Sequence, residues 1–137
     1  MANDFKVVGN EGGGRSPGYN YGIDVLDRAY QEEKRLFDDA EDEHCKNLVR
    51  EVAREIDPTH SLTIDVRPIE DFFEIRDKGG ILGKKNVRIF FFVYKPKRKI
   101  VILGVVKKEN EGQTPVAVKI TMSRRKRLYL EAQTPES

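Results

Sequence analysis

Residues 87–108, VRIFFFVYKPKRKIVILGVVKK, leave few folds open to this chain. Two apolar runs of strand length, rich in β-branched and aromatic residues, flank the basic turn Lys95–Arg98. Side chains of a strand point alternately to its two faces, so Phe90, Phe91 and Phe92 require cover on both sides. The first strand of this hairpin is therefore expected to be central in a sheet. Pro96 falls in the turn, where its missing N–H costs no ladder bond. The hairpin is also bordered by cations: Arg88 lies inside its first strand, and Lys107 and Lys108 close its second. Positive charge held at the margin of a buried scaffold suits contact with a polyanion.

The rest of the chain supplies helices and further strands. Residues 23–56 contain no Gly or Pro and are rich in good helix formers. Leu26, Tyr30, Phe37, Ala40, Leu48, Val52 and Ile56 recur at spacings that share a helical face. The segment predicts one long helix, or two that bend near DDAEDEHC, ending at Asp57-Pro58. Leu62, Ile64 and Val66 then alternate with polar residues as a half-buried strand that Pro68 interrupts. FFEIR at 72–76 reads as a second strand, and DKGGILGKKN at 77–86 as a loop. A last helix is expected from about Thr114 to Leu130. Thr114 is placed as its N-cap and Pro115 at its first position, with Val116, Ala117, Ile120 and Leu128 as its buried stripe. The fold class is α+β: a small twisted antiparallel sheet, two N-terminal helices packed on it, and a C-terminal helix.

A chain of 137 residues fits one domain, placed at 21–130 between disordered tails at 1–20 and 131–137. FKVV at 5–8 has strand composition without neighbouring support. Gly12–Gly14 precede Arg15, Ser16 and Pro17, with no lysine and no immediate helix, so they do not form a nucleotide-phosphate loop. The N-terminus lacks the basic start and apolar core of a secretory signal, and no apolar run approaches the roughly 20 residues that span a bilayer. A cytoplasmic protein that does not touch membranes is expected. A single cysteine, Cys45, excludes an internal disulfide and reads as a small core residue. His44 and Cys45 are consecutive with Asp42 and Glu43 on a helix and fan out around it, so no metal site is expected. The net charge of +2 conceals an asymmetry. Residues 1–59 carry 8 Lys/Arg and 14 Asp/Glu, and residues 60–137 carry 17 and 9. Either the second half meets an anion, or the halves neutralise each other within the fold.

FFEIR, a loop, VRIFFFVY, a basic turn, KIVILGVVKK and then QTP opening a helix resemble the RelE/ParE superfamily of toxins from bacterial toxin–antitoxin pairs, in particular its RelE- and HigB-like branch. The similarity covers roughly residues 62–128. The resemblance implies a twisted antiparallel sheet with two helices on one side and a C-terminal helix beyond. The family places its first strand before the two helices. The resemblance also implies a ribosome-associated mRNA endonuclease, silenced by a cognate antitoxin protein, with ribosome and mRNA as its other partners. It implies no small-molecule cofactor.

In such a reaction the 2′-hydroxyl attacks the adjacent phosphorus and the 5′-oxygen leaves. That calls for charge stabilisation on the phosphate and two proton transfers. Guanidinium forks match phosphate oxygens in bidentate fashion. Arg88 matches the family's phosphate-contacting strand arginine, although it could also be a strand arginine on a solvent-facing edge, or one paired with Glu74. Arg76 and Lys108 match further basic positions, and Glu74 stands where the best-known members carry a lysine, as a candidate proton acceptor. Lys84, Lys85, Lys107, Arg124 and Arg125 are candidate RNA-backbone contacts. The family's His or Tyr near the start of the last helix has no counterpart in ENEGQTPVAV, and Tyr129 lies at the far end. Two other functions are compatible with the sequence. One is protein binding alone, by a ParE-like DNA gyrase inhibitor or a catalytically inactive relative. The other is an unrelated RNA- or ribosome-binding domain.

Overall fold

The computed structural model describes residues 7–9, 18–77, 86–108 and 113–133. Their elements are β1 (Val7–Gly9), β2 (Gly22–Leu26), α1 (Asp27–Leu36), α2 (Asp39–Arg54), β3 (Asp65–Ile69), β4 (Phe72–Asp77), β5 (Asn86–Tyr94), β6 (Lys99–Lys108) and α3 (Val116–Gln133). The class is α+β. The six strands form one sheet in the order β1-β2-β6-β5-β4-β3. Helices α1 and α2 cover one face. On the other, α3 crosses β6 at Gly104, where an added Cβ would collide with Met122 and Arg125.

The hairpin forms as its residues dictate. Strands β5 and β6 pair from Asn86↔Lys108 to Tyr94↔Lys99, joined by a short 3-10 turn at Lys95–Lys97. Phe90, Phe91 and Phe92 are all buried, Phe90 edge-on to Phe72 and Phe91 stacked on Phe73. The register shifts between Phe90 and Phe91, whose partners are Gly104 and Ile102, so Leu103 is bulged out of the pairing.

Three expectations are corrected. Residues 22–26 are a strand, not the start of a helix. Ile23 and Val25 turn to one side and Asp24 to the other, and β2 pairs parallel to β6 over Gly22↔Lys99 to Val25↔Ile102. The sheet is therefore mixed rather than wholly antiparallel, and a strand does precede the two helices. Of the two alternatives for the helical segment the structure has the second: it breaks in two at Phe37–Asp38, at the start of DDAEDEHC. There Asp38 and Glu41 exchange side-chain and backbone hydrogen bonds in a capping box that restarts the helix as α2. Strand β3 begins later than the alternation of Leu62, Ile64 and Val66 indicates, and it contains Pro68. As an edge strand it pairs only with β4, so proline's missing donor is tolerated. Lastly, α3 buries Met122, Arg125 and Tyr129, while Val116 and Ile120 are 69% and 64% exposed. The predicted stripe is on the wrong side of this helix.

The tails at 1–20 and 131–137 fall largely outside the described residues. Within them, Val7–Gly9 pair antiparallel with β2, and α3 continues to Gln133. No described helix is long and apolar enough to cross a membrane.

Candidate functional site: two arginines on a buried carboxylate

Strands β4 and β5 run antiparallel with Arg76 directly opposite Arg88 and Glu74 opposite Phe90. Period-two alternation puts Glu74, Arg76 and Arg88 on the same sheet face. Like charges facing each other across a ladder repel. Glu74, two residues along β4, resolves the conflict by accepting from both. Its Oε2 takes the Arg76 Nε–H, and its Oε1 takes Arg88 Nη1 at 3.3 Å and the Thr114 hydroxyl. Arg88 Nη1 also donates to Thr114 Oγ1 at 3.2 Å. Thr114, Arg88 and one carboxylate oxygen thus close a triangle beneath the start of α3.

The cluster is dry. Glu74 is 0% exposed, Arg88 2% and Thr114 4%, and Arg76 is the member nearest to solvent. Two guanidiniums meet one carboxylate here, and guanidinium forks also match the oxygens of a phosphodiester anion. A phosphate reaching these guanidiniums must displace Thr114 or draw one of them away from Glu74. The arrangement thus brings together two guanidiniums, a carboxylate and a hydroxyl that are engaged with one another.

The remaining candidates among the described residues are dispersed. Lys107 is exposed at the end of β6 opposite Val87, on the sheet face away from Arg88. Lys108 pairs through its backbone with Asn86, and its side chain lies outside the described set, as do Lys84 and Lys85. Arg124 lies on α3 beside the groove bordered by Val116, Ile120 and Leu130. Arg125 is not a surface cation. It is buried, donating to both carboxylate oxygens of Glu32 and to the Leu103 carbonyl at 2.9 Å. The reason is visible in the sheet: β2 pairs with β6 only as far as Ile102, so the next edge groups of β6 lack a ladder partner. Arg125 takes the Leu103 carbonyl, and Glu32 Oε1 takes the Val105 N–H at 3.0 Å.

Thr114, taken from the sequence as a helix cap, belongs instead to the cluster. No sequence signal marks a hydroxyl that meets a carboxylate 40 positions earlier. The edge clamp does leave a trace, because a lone Gly104 in a β-branched run signals a bulge or a close backbone approach. Cys45 is fully buried, and its thiol is pushed up to about 12, first by burial and then by the carboxylates of Glu33, Asp77 and Asp42, so it stays protonated and inert. Burial, then Asp24, also raises Tyr129, whose hydroxyl donates to Asp24 at 3.0 Å. His44 Nε2 lies 3.1 Å from Asp77. No group of three or more potential metal ligands occurs among the described residues. No family model, curated protein or solved structure matches the chain.

Proposed function

We propose that the chain is a RelE/HigB-like toxin of a toxin–antitoxin pair, acting in the cytoplasm as a ribosome-associated mRNA endonuclease. The observation that carries this is the convergence of Arg76 and Arg88 on the buried carboxylate of Glu74. The element order adds support: two strands, two helices, a strand meander ending in a basic hairpin, and a C-terminal helix. In this mechanism Arg88 binds the scissile phosphate, with Arg76 and Lys108 stabilising the charge that develops on its oxygens. Glu74, freed from one guanidinium as phosphate takes its place, accepts the proton of the attacking 2′-hydroxyl. The partners are mRNA, the ribosome and an antitoxin.

A second reading draws on the burial of Arg88 and Glu74. A salt bridge this dry serves the sheet as it stands, which favours a protein-binding relative such as a gyrase inhibitor. Induced expression with transcript ends mapped by primer extension separates the two. The endonuclease gives new in-frame mRNA ends that disappear in Arg88→Ala. That variant leaves Glu74 its bonds to Arg76 and Thr114, and circular dichroism checks that it folds. Growth arrest with intact transcripts and relaxed or broken DNA would overturn the endonuclease in favour of the gyrase reading. No effect of the wild-type chain on growth or transcripts would assign it to an inactive relative.

A further inference from the structure

Helix α3 docks onto the sheet through Met122, Arg125 and Tyr129. On its opposite side Val116, Ile120, Ser123, Arg127 and Leu130 follow one another at alternating intervals of four and three residues. That is the spacing of a coiled-coil seam, the stripe along which one helix packs against another. The three aliphatic members, Val116, Ile120 and Leu130, are all exposed. From Val116 to Leu130 the stripe runs for about 21 Å, roughly four turns.

The stripe is the floor of a groove of about 730 Å³. One wall is the turn between β3 and β4. Lys119 Nζ lies 3.9 Å from Glu70, Lys126 Nζ lies 3.4 Å from Asp71, and the Ser123 hydroxyl donates to Asp71 at 3.3 Å. Arg124 borders the stripe on its other side. The lining thus holds four cations, Lys119, Arg124, Lys126 and Arg127, against the two carboxylates of Glu70 and Asp71. Arg127 reaches Glu131 at 4.0 Å, between side chains that are 65% and 64% exposed. A pair so wet contributes little and yields readily to another carboxylate.

In a coiled coil the charges that flank the seam choose the partner, and a polar residue within the seam fixes the register. Here the charged flanks are Lys119, Arg124, Lys126 and Glu131, three cations and one acid, and the charged seam residue is Arg127. We propose that the outer face of α3 is a docking site for an acidic amphipathic helix of a partner protein. The apolar seam of that helix packs on Val116, Ile120 and Leu130, its flanking carboxylates meet Arg124 and Lys126, and a carboxylate within its seam meets Arg127. The inference does not rest on the toxin reading, since no residue of the groove belongs to the Glu74 cluster.

The groove suits other occupants less well. Single-stranded nucleic acid stacks its bases on aromatic rings, and the lining contains none. A phosphate backbone makes no use of three exposed aliphatic side chains. A helix that lies in a bilayer surface keeps its cations off its apolar face, whereas Arg127 sits within the stripe. A symmetric dimer through this face opposes the same cationic surface on both copies.

The test is an NMR titration of the full chain with a designed helical peptide about three heptads long, with leucine in its seam, one glutamate there to face Arg127, and glutamate on both flanks. The control peptide carries lysine at every glutamate position. Saturable shifts are expected at the amides of Ile120, Arg124 and Arg127 with the acidic peptide, and its affinity should fall with added salt. Ile120→Asp should abolish binding. Its side chain is exposed, so the variant should keep its fold, and Val116→Asp repeats the measurement at a second exposed position. Arg127→Glu should weaken the acidic peptide about tenfold and strengthen the lysine peptide. Absence of saturable binding at millimolar acidic peptide would overturn the proposal. So would equal affinity for the two peptides, or unchanged affinity in Ile120→Asp. Shifts of the same amides by oligouridylate or by phosphatidylglycerol vesicles but not by the acidic peptide would assign the face to RNA or to lipid instead. Self-association of the chain that Ile120→Asp removes would assign it to a second copy.

Discussion

Glu74 holds three donors and no exposed surface, and that combination makes it the most sensitive residue of the sheet. Removing one member of a buried ion pair costs far more than the pair itself contributes, because the survivor keeps its charge without compensation. Glu74→Ala leaves the Arg88 guanidinium in a dry interior and faces it with Arg76 across the ladder. Urea denaturation should show a loss of about 3–5 kcal/mol, against a clearly smaller loss for Arg76→Ala, since Arg76 lies nearest to solvent. Arg88→Met, which removes the charge but keeps apolar volume, should cost less than Glu74→Ala. At this scale the sequence was informative where alternation governs. FFEIR and VRIFFFVY read as strands, and the pairing of Arg88 with Glu74 was one of three roles open to that arginine. Thr114 was not legible, because its role depends on where α3 begins relative to β4. Arg125 was misplaced because a run of cations near a helix end usually faces water, whereas here one of them caps a sheet edge.

The element that departs most from its sequence pattern is α3. Its largest aliphatic residues near the start, Val116 and Ile120, face outward, and it docks through Met122, Arg125 and Tyr129. Polar pins replace a continuous apolar stripe: Arg125 on Glu32 and Leu103, Tyr129 on Asp24, and Lys126 on the Asp71 carbonyl. Such pins have defined geometry, so the helix must sit at one height above β6, and Gly104 permits that height. Gly104→Ala should destabilise the fold by about 1–3 kcal/mol, as overpacking does. Measured against Met122→Ala, which itself opens a cavity, the Gly104→Ala loss should be partly recovered, because the methionine end is the nearest obstacle and Arg125 remains pinned. Thermal melts of the single and double variants check this. Full recovery by Met122→Ala would mean that Arg125 can yield as well. The docking face could not be deduced from hydrophobic periodicity, because an arginine and a tyrosine carry two of its three buried positions.

Across the whole molecule the charge asymmetry between the two halves is partly consumed inside. Asp24 pairs with Lys99 at 2.9 Å and Glu32 with Arg125 at 2.9 Å, each joining the acidic half to the basic half. These partly buried pairs lie at the joint between β2, α1, β6 and α3, so the segregation read from the sequence serves the fold at these points. The central hairpin was legible because its apolar runs admit one interpretation. Strand β2 was not, because five residues leading without a break into a helix give no period of their own. Its pairing has a consequence in time. β6 separates β2 from β5, so β2 and β5 are held in one sheet only after residues 99–102 exist to lie beside residues 22–25. Closing so long a loop to form a parallel pair is slow. A chain halted at Arg98 should therefore show no hydrogen-exchange protection at Ile23–Val25, while the full chain protects them strongly. Protection in the halted chain would mean that β1 alone stabilises β2. Because the ribosome delivers the N-terminus first, β2 must wait without its β6 partner until residues 99–102 have been synthesised.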